Sequence, residues 1–98
     1  MTIEKTIKGS TLNVVLRGRL DTITAPQLEA ELKASLDGIT ELILDFQNLE
    51  YLSSAGLRVL LAAQKVMNRQ GTMTVMHVSD TVHEIFEVTG FIDILTIA

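Results

Sequence analysis

The 98-residue chain contains no cysteine and no tryptophan, a single proline, one tyrosine and three phenylalanines. Without cysteine there is no disulfide framework, no thiol nucleophile and no zinc site of the Cys type. Positive charge is also scarce. Lysine and arginine number 8 against 12 acidic residues, a formal charge of −4, and they form no cluster able to displace counterions from a nucleic-acid backbone. Long apolar runs are missing too: none approaches the ~18 residues of a membrane span. Met1 to Lys8 alternates charged with apolar residues, which is not the pattern of a signal peptide. A cytoplasmic protein is expected, with no direct nucleic-acid contact and no membrane insertion. What the chain does have is apolar content, 47% hydrophobic against 20% charged. That is far too apolar for disorder, and the length suits one core in one domain spanning residues 1–98.

Ile3 and Ile7, set among Glu4, Lys5 and Lys8, predict a strand from Thr2 to Lys8, and Gly9-Ser10 a hairpin turn. The returning strand, Thr11 to Arg17, puts Leu12, Val14 and Leu16 on one face against Asn13, Val15 and Arg17 on the other. Gly18 to Asp21 closes it. Thr24 reads as the N-cap of a helix running to about Leu36, with Gln27 completing a capping box and Pro26 in the first turn. Leu28, Leu32 and Leu36 share its buried face, and Asp37-Gly38 stops it. The continuous apolar run from Glu41 to Phe46 predicts a central strand covered on both faces. A second helix is expected from Ser54 to about Arg69, with Leu57, Leu60, Leu61 and Val66 as its apolar stripe and Gly71 as its stop. Thr72 to Val78 reads as a strand. Ser79-Asp80 should cap a third helix lined by Val82, Ile85, Phe86 and Val88, and after Gly90 the segment Phe91 to Ile97 returns as an edge strand. Met67, Met73 and Met76 are read as core filler. The order ββαβαβαβ predicts an α/β fold, a mixed but mostly parallel sheet with helices packed on it.

Catalytic patterns are missing from this framework. There is no G-x-x-x-x-G-K loop and no G-x-G-x-x-G after a strand, so neither a nucleotide nor another cofactor is expected. His77 in a strand and His83 in a helix do not have metal-ligand spacing, and no metal site is expected. Ser53-Ser54 is not framed as the G-x-S-x-G elbow of a hydrolase.

One segment stands out, Leu49 to Leu57, where an apolar stretch leads into two hydroxyls, two small residues and an amphipathic helix. Two readings of it are open. Ser53 or Ser54 is an N-cap, with Ala55 and Gly56 small because the helix lies close to the preceding strand. Alternatively, one hydroxyl is an anchor for a phosphate, since a helix N-terminus favours an anion by roughly 0.3–1 kcal/mol.

Leu44 to Leu61, LDFQNLEYLSSAGLRVLL, resembles the signature of the STAS domain, the family of bacterial anti-sigma factor antagonists. Gly18-Arg19-Leu20-Asp21 is similar to the family's Gly-x-Leu-Asp turn and Val88-Thr89-Gly90-Phe91 to its closing segment, so the likeness spans almost the whole chain. The resemblance implies a serine at the start of the second helix, phosphorylated by an anti-sigma factor that is itself a GHKL-type serine kinase and dephosphorylated by a metal-dependent serine phosphatase. Against the family's Asp-Ser-(Ser/Thr)-Gly-Leu pattern, Ser54 falls on the phosphoacceptor and Gly56 on the glycine. Ser53 stands where the pattern has aspartate and Ala55 where it has a second hydroxyl, two departures that bear on kinase recognition. Ser53 is the alternative acceptor. By the same resemblance, Asp21 and Thr22 fall in the turn that in this family approaches the acceptor loop and helps form the kinase-binding surface, although Asp21 also reads as a loop cap. Arg58 reads either as a contact to an acidic partner or as part of a solvated helix face. The implied partner surface is therefore Asp21, Thr22, Ser53, Ser54, Ala55, Gly56 and Arg58.

The implied function is partner switching. The unmodified chain, a monomer or weak dimer and not an enzyme, binds the kinase and frees a sigma factor, and phosphorylation of Ser54 separates the complex. An alternative keeps the fold without the phosphate chemistry, as a scaffold subunit of a lipid-transport ABC system or a stress-signalling assembly. A small hydrolase using Ser54 would need a general base that the sequence does not supply.

Overall fold

The computed structural model describes residues 1–98. In chain order the elements are β1 (Thr2–Lys8), β2 (Thr11–Leu20), α1 (Ala25–Ser35), β3 (Glu41–Leu52), α2 (Ser54–Gln70), β4 (Thr72–Met76), α3 (Asp80–Thr89), a 3-10 turn (Phe91–Asp93) and β5 (Thr96–Ile97). The sheet order follows the chain, β1-β2-β3-β4-β5. The hairpin pair β1/β2 is antiparallel and every other pair is parallel, giving the expected α/β fold with a mixed sheet.

Register explains the core. Leu12 and Val14 of β2 lie beside Leu42 and Leu44 of β3, which lie beside Met73 and Val75 of β4, and all six are buried. Partners in register share a face, so one side of the sheet is a continuous apolar layer. Helix residues Leu28, Leu32, Leu57, Leu60, Met67, Val82 and Phe86 join the same cluster, and the rings of Phe46 and Phe86 sit 6.4 Å apart. The intervening residues Asn13, Val15, Ile43, Asp45, Thr74 and Met76 are exposed or half-buried. The expectation that β3 is covered on both faces is therefore corrected: the helices cover one face, and the continuity of the apolar run came from Ile43 alone.

Both central strands run further than expected, β2 to Leu20 instead of Arg17 and β3 to Leu52 instead of Phe46. β3 carries two extra residues relative to β2, inserted where Val15 and Arg17 pair with Asp45 and Asn48, and where Gly18 and Arg19 pair with Leu49 and Tyr51. Each bulge resets the phase of the strand. Phe46, Leu49 and Leu52 thus all reach the core at a spacing of three, and the Asp45 carboxylate accepts the Gln47 N–H within the first bulge at 2.9 Å.

Further corrections concern the helices and the last strands. Thr24 does not cap α1 through its side chain, and its backbone is already helical, because the Asp21 carbonyl accepts the Ala25 N–H and starts the turn earlier. In α2 the buried stripe is Leu57, Val59, Leu60, Ala63 and Met67, with Val66 exposed and Leu61 half-buried. Val88 of α3 is also exposed, because α3 buries only Val82 and Phe86 fully. β4 stops at Met76, since His77 takes a left-handed conformation at φ 58° and pairs with Asp45 at 3.0 Å. The closing segment turns as a 3-10 helix before adding only Thr96–Ile97 to the sheet. Met67 and Met73 are core residues as expected, and Met76 is half-buried. No helix is long and apolar enough to cross a membrane.

Candidate functional site

β2 and β3 are parallel and end side by side, Leu20 against Leu52. The chain leaves both at the same edge of the sheet and turns straight into α1 and α2, so two helix N-termini and their lead-in turns meet there.

The two serines have different work. Ser53 is extended at φ −95°, ψ 173°, and its side chain accepts the N–H of Gly56 at 3.4 Å. Its own N–H donates to the Leu20 carbonyl at 2.9 Å, and its carbonyl accepts the Leu57 N–H at 3.0 Å. Ser53 is the N-cap, half-buried, with its N–H, carbonyl and side-chain oxygen all engaged within the fold. Ser54 is the first helical residue and is exposed, and its hydroxyl is free because the cap has been supplied one residue earlier. The N-cap reading of this segment falls on Ser53, and Ser54 is the hydroxyl left over.

Gly56 fixes where this helix end sits. A Cβ there would lie 2.7 Å from Leu20 Cγ and 2.7 Å from Leu52 Cδ1, well inside the ~3.5–4.0 Å of favourable carbon contact. The backbone of α2 therefore rests directly on the two leucines that end β2 and β3. Gly56 is buried, so it positions the surface and does not form part of it, a correction to its place among the partner contacts.

The adjoining turn is equally fixed. The Asp21 carboxylate accepts the N–H of Ile23 at 3.0 Å and of Thr24 at 3.1 Å. The Thr24 hydroxyl accepts the Asp21 N–H at 2.9 Å and donates to the Arg19 carbonyl at 2.7 Å. The Thr24 N–H holds the Asp21 carboxyl below its ordinary value of 3.8, against a smaller opposing effect of desolvation, with the Ile23 N–H, the Thr24 hydroxyl and the Arg19 charge adding to the depression. Asp21 is thus the cap of this turn, as its sequence context allowed.

Thr22 and Pro26 from the α1 side, and Ala55 and Arg58 from the α2 side, line a single depression of about 290 Å³. Of the expected surface residues, Thr22, Ala55 and Arg58 meet there, Ser54 lies exposed at its helix start, and Asp21 and Ser53 hold the two turns from behind. Sequence reasoning missed Ile23. Its side chain is 87% exposed on the turn that Asp21 locks, and a lone isoleucine between Thr22 and Thr24 was the available signal. It also missed the Arg19 guanidinium, 4.3 Å above the Tyr51 ring and 3.7 Å from Asp21. The pairing of Arg19 with Tyr51 depends on the second bulge of β3, which the sequence does not announce. No group of three or more His, Cys, Asp or Glu side chains comes together as a metal site; His77 pairs with Asp45 and His83 with Glu87.

Residues 2–98 match the family model of the STAS domain. A Bordetella bronchiseptica protein named as a candidate anti-sigma factor antagonist, BtrV, is 42% identical over 85 residues, covering 85% of this chain and 73% of its own. The anti-sigma-B factor antagonist of Staphylococcus aureus is 30% identical over 97 residues, 97% of this chain and 90% of that protein. Among solved structures, the Bacillus cell-fate determinant SpoIIAA in its phosphorylated form has the same fold, with a TM-score of 0.77 at 20% identity over 99% of this chain and 91% of that one.

Proposed function

We propose that this chain, which belongs to the STAS domain family, acts as an anti-sigma factor antagonist controlled by phosphorylation of Ser54. In the unmodified form it binds a serine-kinase anti-sigma factor through the patch around Ser54, Thr22, Ala55 and Arg58, and a sigma factor is released. The kinase then transfers the γ-phosphoryl group of ATP to the Ser54 oxygen, ADP leaves, the hydroxyl proton is lost, and the complex separates. A metal-dependent phosphatase restores the hydroxyl by hydrolysis. The chain's part in this cycle is recognition and acceptance of the phosphate.

The observation that carries the reading is the division of labour at the start of α2: Ser53 caps the helix and Ser54 presents an exposed hydroxyl with no structural duty. The departure from the family's aspartate at Ser53 is mild on this account, because aspartate and serine rank together as N-caps. The cap is kept and only a charge is lost. Phosphorylation adds about −1.5 to −2 charges and three acceptor oxygens. The open helix N-terminus favours that charge within the fold, whereas an interface closing over it must desolvate it.

Mass spectrometry after incubation with the purified serine-kinase anti-sigma factor of the same genome and ATP tests the proposal. One phosphate, mapping to Ser54 and absent from Ser54→Ala, is expected. Full phosphorylation of Ser54→Ala refutes the assignment and turns attention to Ser53. Ala55, in place of the second hydroxyl, favours the scaffold reading, in which the same surface works unphosphorylated; binding of the kinase with no phosphate transfer would select it.

A further inference from the structure

The seam between α1 and α2 does not close behind the Ser54 patch. Both helices start at the same sheet edge and run in the same direction, and between them lies a groove of about 350 Å³. Leu32 and Leu36 of the α1 side and Val59 and Ala63 of α2 form its nearly buried floor, while Val66 stands 41% exposed at its lip. The gap exists because Ala62 and Ala63 offer methyl groups where larger side chains would fill the space between the helices. Its far end is fixed by the Gln70 amide, which donates to the carbonyls of Leu36 and Ile39 at 2.7 and 2.6 Å.

This groove adjoins the depression lined by Thr22 and Arg58, with Glu29 and Val59 lining both. Together the two, here called the trough, follow the α1/α2 seam from Thr22 and Arg58 to Gln70. From Val59 to Gln70 it follows three turns of α2, about 16 Å at 1.5 Å per residue. Its charge is polarised. Lys33 pairs with Glu29 at 3.4 Å and the two cancel. Arg58 at the Ser54 end and Asp37 at the far end enter no ion pair.

We propose that this trough receives one amphipathic helix of the anti-sigma factor, its acidic first turn against Arg58, its apolar side chains over Leu32, Leu36, Val59 and Val66, and its basic last turn against Asp37. The inference rests on the antagonist reading above and adds where the grip of the complex comes from. The groove volume is a little over twice the ~150 Å³ that holds one benzene ring, which suits two large apolar side chains at i and i+3 or i+4 with a third at the lip, the usual anchoring of a helix in a groove. A helix with acid at its N-terminus and base at its C-terminus also matches its own macrodipole, so the charges of the trough select one direction of docking. Ser54 lies one helical turn before Arg58. A phosphate there opposes the acidic turn of the partner, while the apolar end near Val66 is left as it was.

Isothermal titration of the purified serine-kinase anti-sigma factor of the same genome into wild type, Val66→Glu, Ala62→Trp, Asp37→Lys and the control Glu84→Gln tests this, with a thermal melt of each variant. Val66 and Ala62 are exposed, so melts should stay within a few degrees of wild type. Val66→Glu and Ala62→Trp should weaken binding at least tenfold, Asp37→Lys about threefold, and Glu84→Gln not at all. Binding of both groove variants within twofold of wild type, with Ser54→Asp still defective, overturns the trough and leaves the antagonist reading standing. Failure of wild type to bind overturns both. If wild type sediments as a dimer that Ala62→Trp converts to monomer, a second copy occupies the trough and the inference is wrong.

Discussion

Replacing Gly56 by alanine adds one methyl group where the structure has no room for it. The new Cβ would sit 2.7 Å from Leu20 Cγ and Leu52 Cδ1 and 3.1 Å from Leu20 Cδ2. Neither leucine can yield cheaply, because Leu20 is fully buried and Leu52 is 2% exposed, and the Leu20 carbonyl also holds the Ser53 N–H. Overpacking of this kind costs about 1–3 kcal/mol. Alanine recovers up to about 1 kcal/mol of helix propensity over glycine, less in a first turn where the backbone is only partly helical. The net loss should be about 1–2 kcal/mol, roughly 4–16 °C in Tm for a chain of this length, and larger for Gly56→Val, whose branches have nowhere to go. Urea unfolding should show a lower midpoint at an unchanged slope, the mark of a native-state effect. The second readout is the phosphorylation rate of Ser54, which should fall in the same order, alanine then valine, as the start of α2 is pushed off the strand ends. A Gly56→Val chain that unfolds at the wild-type midpoint and accepts phosphate at the wild-type rate would refute the packing that places Ser54.

Ser54→Asp should reduce binding of the kinase while leaving the unfolding midpoint within about 0.5 kcal/mol of wild type, since an acidic residue suits a helix N-terminus; calorimetric titration and a melt separate the two effects. Ile23→Ser should likewise leave stability unchanged, because the side chain is 87% exposed, but weaken the complex about fivefold or more as a lost apolar contact; equal binding would place Ile23 outside the interface. Gln64 is 7% exposed and its Oε1 has no hydrogen-bond partner, so Gln64→Leu should raise stability by about 1 kcal/mol in urea unfolding, leaving Asn68 to water. For Asp45, burial works to raise the carboxyl pKa, but the Gln47 N–H, the His77 ring and the charges of His77 and Arg17 together hold it below 3.8. A folded-state value below the unfolded one stabilises the fold above pH 3.8 and loses that contribution as pH falls through the lowered value. Asp45→Asn should therefore flatten the acid limb of the stability profile below about pH 4; an unchanged limb would show that the depression carries no folding energy.

The strands and helices that obey a single period could be read directly from the residues. β1, β2 as far as Arg17, the leucine stripe of α1 and the extent of α2 all appear where their periodicity put them. β3 beyond Phe46 did not, because a bulge converts the two-residue period of a strand into three. Phe46, Leu49 and Leu52 then look like the end of a pattern instead of its continuation. The same bulges bring Leu52 opposite Leu20 and Tyr51 opposite Arg19, so the site inherited the illegibility of the strand. Thr24 failed as a cap for a related reason. Two residues with capping side chains, Asp21 and Thr24, compete within one turn, and the carboxylate that accepts two N–H groups prevails. The start of α2 at Ser54 and the turn cap at Asp21 were legible, the first from helix-end chemistry and the second from its loop context. Val66 and Val88 were misassigned to the core because a helix stripe read from apolar identity alone does not say which flank a neighbouring helix leaves uncovered.

The rigidity of the site bears on how a single phosphate could change partners. A charge added to a flexible loop swings away from an approaching surface and costs the complex little. Here the proposed acceptor, Ser54, is carried on a helix end that Gly56 seats against two buried leucines and that Ser53 ties to the end of β2, beside a turn closed by Asp21 and Thr24. On the proposed mechanism, a phosphate on Ser54 would stay where the partner docks, next to the acidic groups proposed to answer Arg58. A penalty of about 3 kcal/mol at that interface corresponds to a weakening of about a hundredfold, and local repulsion between like charges at reduced dielectric is of that order. The fold itself bears almost none of this cost, because the same group stands at the favourable end of a helix dipole. Stability and affinity are separated by geometry. Loosening the seat of α2 should therefore blunt the switch as well as the fold, with Gly56→Ala showing a smaller ratio of unphosphorylated to phosphorylated affinity than wild type.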